Sequence, residues 1–147
     1  MPRMSAITRV PPGTGSVLAV VATDAPLLPH QLNRMAQRAG LGIAKFGARG
    51  DNYSGDLMIA FSTAAHGLPD QGPGARTEIA LTVQALALPY VDAMFAAVIE
   101  ATAEAILNAM LQAQTMAGRD DLALRALNGE QLADILDRYG RRRYSVR

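Results

Sequence analysis

"GTGSVLAVVATDAPLLPHQLNRMAQRAGLGIAKFG", Gly13 to Gly47, decides the fold class. After a Gly-Thr-Gly turn, Val17 to Ala22 is apolar without alternation, the pattern of a strand covered on both faces. Asp24 to Pro29 turns the chain. Pro29 suits the first turn of a helix, where its missing N–H costs nothing. Leu32, Met35, Ala36, Ala39, Ile43 and Phe46 then recur at helical spacing and predict a helix with one apolar face. Gly40 and Gly42 weaken its second half by roughly 1 kcal/mol each relative to alanine. They also leave room for close packing on a sheet.

Beyond this stretch the pattern continues as α/β. "GARGDNYSG", Gly47 to Gly55, is a loop of residues that tolerate unusual backbone angles. "DLMIAFS", Asp56 to Ser62, reads as a second strand. Ala64 to Arg76, with Pro69, Pro73 and several glycines, is an exposed connection. "IALTVQALAL", Ile79 to Leu88, fits a strand or a helix equally. Pro89 opens the longest predicted helix, through about Met116, with eight alanines from Ala93 to Ala113. Its polar residues Glu100, Glu104, Asn108 and Gln112 form a narrow stripe, so most of this helix is expected to be buried. A lone two-stranded sheet cannot bury that much, which points to a neighbouring subunit or a missing half of the domain. Met94, Met110 and Met116 on it read as packing residues. Gly118 ends it, "RDD" is a loop, and Glu130 to Tyr139 is a short amphipathic helix stopped by Gly140.

The 147 residues suit one domain, and half of them are apolar. Met1 to Gly15, with Pro11, Pro12, Gly13 and Gly15, is polar and turn-rich and stands outside the core as a linker. Fourteen basic residues against 13 acidic give no field to recruit nucleic acid or a membrane surface. Arg141 to Arg143 is a short solvated basic tail. The absence of cysteine excludes disulfides and thiolate metal sites. The first residues lack a signal-peptide core, and no run of ~20 apolar residues is free of polar interruption. A cytoplasmic protein is expected.

Three side chains could carry chemistry. Ser16 lies between glycine and a strand, and the plain reading is a turn. The sharper reading is cleavage of the Gly15–Ser16 bond. Ser16 would then hold a hydroxyl and an α-amine of pKa near ~8, nucleophile and base on one residue. Glycine before the serine leaves room for the hydroxyl to attack the preceding carbonyl. "GTGS" lacks the Gly-Lys ending of a phosphate loop. Ser54 and Asp56, two apart at a strand start, point to the same side and could steady an ammonium and a hydroxyl. The alternative is a loop closed by Ser-Gly-Asp. His30 and His66 are far apart in sequence with no acidic partner at ligand spacing.

Three ordered stretches carry a resemblance: "GSVLAVVATDAPLLPHQLNRMAQRAGLGIAKFG", "YSGDLMIAFSTA" and "MFAAVIEATAEAILNAMLQAQTMAGRD". Together they resemble the C-terminal part of the self-processing L-aminopeptidase/D-amidase/esterase and β-peptidyl aminopeptidase family, from about Thr8 to Tyr139. The resemblance implies the β-chain half of an αββα sandwich, of the ornithine acetyltransferase-like, N-terminal-nucleophile type. Two or three core strands and two long helices are expected. It implies Ser16 as the nucleophile opening a β chain after self-cleavage at Gly15–Ser16. It assigns Ser54 to position the Ser16 hydroxyl and Asp56 to support charge. The expected substrates are small peptides, amides or esters that lose an N-terminal amino acid through an acyl-enzyme, without metal or cofactor. The expected assembly is an oligomer of αβ units.

The likeness covers the β part alone. The family's α chain, with its oxyanion-hole asparagine, has no counterpart in these residues, and losing one such donor costs ~10²–10³ in rate. Two readings follow. The chain is completed by a separate α chain into a hydrolase, or it is a truncated fragment that keeps only packing and assembly.

Overall fold

The computed structural model describes residues 15–69, 72–75, 80–118 and 123–141. The linker expected over Met1 to Gly15 lies outside these, apart from Gly15. So do Ile79, Arg142, Arg143 and the "RDD" loop. The elements are β1 (Leu18–Thr23), α1 (Pro29–Ala44), β2 (Leu57–Ser62), a short 3-10 turn (Leu88–Tyr90), α2 (Val91–Gln112), β3 (Met116–Ala117), β4 (Ala123–Leu124) and α3 (Gly129–Arg138). They fall into two compact units, one from Pro12 to Ala103 and one from Glu104 onward, with α2 contributing to both.

In the first unit β1 and β2 pair in parallel, from Leu18 opposite Leu57 to Thr23 opposite Ser62. Parallel neighbours need a crossover, and α1 supplies it. Ala19 and Val21 of β1 and Met58 and Ala60 of β2 pack on a core built from Leu27, Met35, Ala39, Val91, Phe95 and Val98. The other sheet face stands open: Leu18 is 69% exposed, Val20 60% and Leu57 61%, with Ile59 and Phe61 beside them. The expectation of a strand covered on both faces is therefore corrected for this chain. α1 shields one face, and the apolar residues of the other are left exposed among the described residues of the same unit.

Helix α1 starts as its sequence predicts, with Pro29 in the first turn. The Leu28 N–H donates to Gln31 Oε1 at 2.9 Å. Gln31 Nε2 in turn donates to the Leu86 carbonyl at 3.0 Å. Leu86 closes the link by donating its N–H to the Pro26 carbonyl at 2.6 Å. Gln31 is 2% exposed, so one buried amide both caps α1 and ties down the segment before the 3-10 turn. That segment, 80–87, is neither strand nor helix. Phe46 lies beyond the end of α1 and is exposed.

Helix α2 ends at Gln112 rather than near Met116, which belongs to β3. Among its described residues only Val91, Phe95 and Val98 are buried, so the expectation of a mostly buried helix is corrected as well. These three face α1, where Arg34 and Arg38 stack on the Phe95 ring at 4.8 and 4.2 Å from its centroid. The two helix glycines differ in role. A Cβ on Gly40 would meet Met58 Cε of the sheet at 3.7 Å, an ordinary contact. A Cβ on Gly42 would lie 2.7 Å from Thr102 Cβ and 2.8 Å from the Ile99 carbonyl oxygen. Gly42 thus serves the α1–α2 contact, not the sheet. With its leading turn, α2 is long and apolar enough, by length and composition, to cross a membrane, although its first half packs on α1.

The second unit holds the last turns of α2, an antiparallel pair with Met116 opposite Leu124, and α3. Asn128 caps α3 by accepting the Gln131 N–H at 3.0 Å. Gly140, at φ +59°, stops it as its sequence predicts.

These contacts set the expected effect of three substitutions. Gln31→Leu leaves the Leu28 N–H and the Leu86 carbonyl without their partner and lowers stability by about 1–3 kcal/mol, read by urea unfolding. Gly42→Ala destabilises by about 1–3 kcal/mol despite alanine's better helix propensity, because the added methyl meets backbone. Gly40→Ala, in open contact, is neutral or stabilising by up to ~1 kcal/mol in the same measurement.

Candidate active site

The parallel register brings the start of β1 beside the start of β2. Leu57 donates its N–H to the Val17 carbonyl at 2.9 Å, which continues the ladder one residue below β1. Asp56 then bridges the two chain segments with one oxygen. Its Oδ1 accepts the Val17 N–H at 2.9 Å and the Ser54 hydroxyl at 2.6 Å. The Ser54 N–H is held by the Asp51 carbonyl at 2.8 Å, so the turn into β2 is itself closed. Gly55 donates its N–H to Ser16 Oγ at 2.9 Å. Ser54 and Asp56 follow Ser16 by 38 and 40 residues in sequence, yet all three line one shallow cavity of about 250 Å³, with Gly15 and the loop Ala48 to Asp51 at its rim.

The three residues singled out from sequence thus meet, and Gly15 lies next to them in the chain. The hydrogen-bond order is informative. A hydroxyl has one proton, and that of Ser54 points at a carboxylate. Its lone pairs are left to accept from a hydroxyl or an ammonium in the cavity. The bond that reaches the Ser16 oxygen comes from Gly55. Sequence reading missed Gly55 and the Val17 amide, because backbone N–H groups have no residue signature. The only available signal was a side-chain-free position between Ser54 and Asp56.

The Asp56 carboxyl is held below the usual aspartate range. The Ser54 hydroxyl contributes most to this and the Val17 N–H next, while partial burial opposes them. Asp56 is therefore an anion at neutral pH. The Arg49–Asp51 ion pair at the rim, 3.3 Å, is exposed and adds little. His30 lies at the start of α1. His66 lines a separate cavity of about 560 Å³ with Leu27, Leu32 and Ser62, at the opposite end of the strands. Neither histidine lines the Ser16 cavity. Among the described residues no three histidine, aspartate or glutamate side chains cluster as metal ligands would.

Known proteins share this arrangement of elements. Residues 2–124 match Peptidase family S58, and the chain belongs to that family. It is 39% identical over 132 residues to a beta-peptidyl aminopeptidase of Sphingosinicella microcystinivorans, covering 90% of this chain and 32% of the relative. The solved L-aminopeptidase D-Ala-esterase/amidase of Ochrobactrum anthropi, described as a variant of the Ntn hydrolase fold, superposes with a TM-score of 0.73 at 40% identity. That match covers 83% of this chain and 33% of the other. A beta-aminopeptidase of Burkholderia sp. superposes with a TM-score of 0.77 at 36% identity, covering 84% and 35%. The chain spans about a third of the length of these relatives. Its fold is the corresponding part of an N-terminal-nucleophile hydrolase, an α/β piece with two core strands and two long helices.

The lowered Asp56 pKa sets a pH dependence. The folded state binds the Asp56 proton less readily than the unfolded chain. The bridge therefore contributes fully above the ordinary aspartate value and is lost as pH falls through the lowered one. The Val17 amide resonance should hold its position through mildly acidic pH and move only below the usual aspartate range. Because one oxygen takes both bonds, Asp56→Asn should keep the Val17 resonance near its native position, and Asp56→Ala should shift it.

Proposed function

We propose that this chain is the nucleophile-bearing part of a self-processing serine aminopeptidase, completed by a separate α chain. The observation that carries the reading is the placement of the Ser16 hydroxyl in the Ser54–Asp56 cavity, directly after Gly15, in a chain of a peptidase family. Self-cleavage begins with attack of Ser16 Oγ on the Gly15 carbonyl carbon. The Gly15–Ser16 C–N bond breaks as the acyl group moves to oxygen, and the proton passes from Oγ to the departing nitrogen. Water then hydrolyses the ester and leaves Ser16 with a free α-amine.

In turnover the α-amine takes the Oγ proton as Oγ attacks the substrate carbonyl, and returns it to the leaving amine or alcohol. Water attacks the resulting acyl-enzyme, and the released acid carries away the N-terminal residue. Ser54, with its own proton on Asp56, accepts from the Ser16 hydroxyl or ammonium. Asp56 balances the ammonium charge and holds the Val17 amide. Small peptides, amides or esters are the substrates, and no cofactor enters the scheme.

The open sheet face, the exposed apolar surface of α2 and the third-length match to the relatives support an α chain as partner. They support equally an oligomer of αβ units. The cytoplasm is the proposed place of work, and the near-neutral charge supports partners other than nucleic acid or a membrane surface. The same surfaces support the view that the chain by itself is a non-catalytic fragment, because a nucleophile without its full oxyanion hole forfeits much of its rate.

Intact mass of the chain from its own source, with native mass of the complex, tests the proposal. Loss of residues 1–15 together with a larger co-purifying chain is the expected result. Ser16→Ala should block the cleavage and lower turnover by about 10⁴–10⁶-fold. An uncut chain without a partner, or undiminished turnover by Ser16→Ala, overturns it.

A further inference from the structure

We propose that Gly55 is a positioning residue for the Ser16 hydroxyl, through its backbone N–H and through the room its missing side chain leaves. This rests on the reading of Ser16 as the nucleophile. The usual reason for a glycine does not apply at this position. Gly47 and Gly50, in the same loop, sit at φ +89° and +65°, where glycine is favoured. Gly55 has no such φ.

Its constraint is spatial. A Cβ at position 55 would lie 3.3 Å from Ser16 Oγ and 4.0 Å from Ser16 Cβ. Apart from its chain neighbours, it would meet no other described atom within 4 Å. The crowded oxygen is the one that accepts the Gly55 N–H at 2.9 Å. A methyl group and the N–H of the same residue would therefore compete for one hydroxyl. Rotation of Ser16 about χ1 relieves the contact and breaks the hydrogen bond. The disturbance falls on the Ser16 side chain and leaves the surrounding packing alone.

The amide donor has two effects on Ser16. It selects one of three staggered χ1 wells. It also occupies an acceptor site on Oγ, so the hydroxyl proton must point elsewhere, toward whatever base takes it. Without the donor, Ser16 spreads over its rotamers and a smaller fraction stands ready to attack. Rotamer spreading together with the lost hydrogen bond should lower kcat about 10-fold. KM should change little, because Gly55 offers a substrate no side chain.

The test uses the full chain with any partner that co-purifies, and two readouts. In NMR of the wild type, the Gly55 amide should exchange slowly with solvent, and this protection should vanish in Ser16→Ala. In Gly55→Ala, the Ser16 Hα–Hβ three-bond couplings should report mixed rotamers at an unchanged unfolding temperature. The active assembly should show the kcat loss with KM preserved. Equal Gly55 exchange in wild type and Ser16→Ala overturns the proposal. So does a Gly55→Ala protein with a single native Ser16 rotamer and full kcat. The Ser16→Ala exchange measurement leaves Gly55 in place, so it decides the matter even if Gly55→Ala folds poorly. Full turnover by Ser16→Ala would instead sink the nucleophile reading and leave the exchange result standing on its own.

Discussion

One carboxylate oxygen joins the starts of the two parallel strands. Asp56 Oδ1 accepts from Val17, at the start of β1, and from Ser54, at the start of β2. Those segments are separated by the whole of α1 in sequence, and loop closure of that length is unfavourable until non-local contacts offset it. The parallel ladder supplies most of those contacts. The Asp56 bridge extends them below the last backbone pair, into the residues that bear the site. Ser16 and Ser54 are then not free ends of loops. They lie two and three residues before paired strands, each hydroxyl engaged by a hydrogen bond.

This placement puts the candidate site at the N-terminal ends of parallel strands. Ligand crevices of open parallel sheets ordinarily form at the C-terminal ends. Here that end holds the His66 cavity instead. The N-terminal end suits a nucleophile that is itself proposed to become a chain terminus. A strand that starts at the cut keeps its hydrogen-bond ladder when the preceding bond is lost, because pairing begins one residue later, at Val17. The open apolar face of the same sheet belongs to the same logic. Leu18 and Leu57 lie just past the site residues and face the side that α1 does not cover.

Much of this was legible in the residues. Pro29 and the apolar spacing from Leu32 to Ile43 defined α1, and the "DLMIAFS" run defined β2, each within a residue or two. Ser16, Ser54 and Asp56 were singled out from local type and from the family resemblance, and the structure brings them to one cavity. The errors share a cause. β1 was expected to be buried on both faces, and α2 over all but a narrow polar stripe, because their other residues are apolar. Composition reports what a segment would bury, and burial itself depends on which other segments are present to cover it. The 80–87 stretch had strand-like and helix-like features at once. Its backbone is instead engaged by Gln31 and Pro26, a tertiary bond that no local propensity contains.

The sequence by itself determined the α/β class, the order β1, α1, β2, α2 and α3, and the residue types from which an acyl-transfer site is proposed. Periodicity and side-chain chemistry are local properties, readable within a few residues. Only the tertiary structure decided how those residues cooperate: that the Ser54 proton is committed to Asp56, that Asp56 reaches the Val17 amide, and that Gly55 donates to Ser16 Oγ. Each of these is a directional contact a few ångströms long, two of them spanning 39 residues of chain. The two long ones exist only once the parallel register sets the two strand starts side by side, and their donors are backbone amides that every non-proline residue carries.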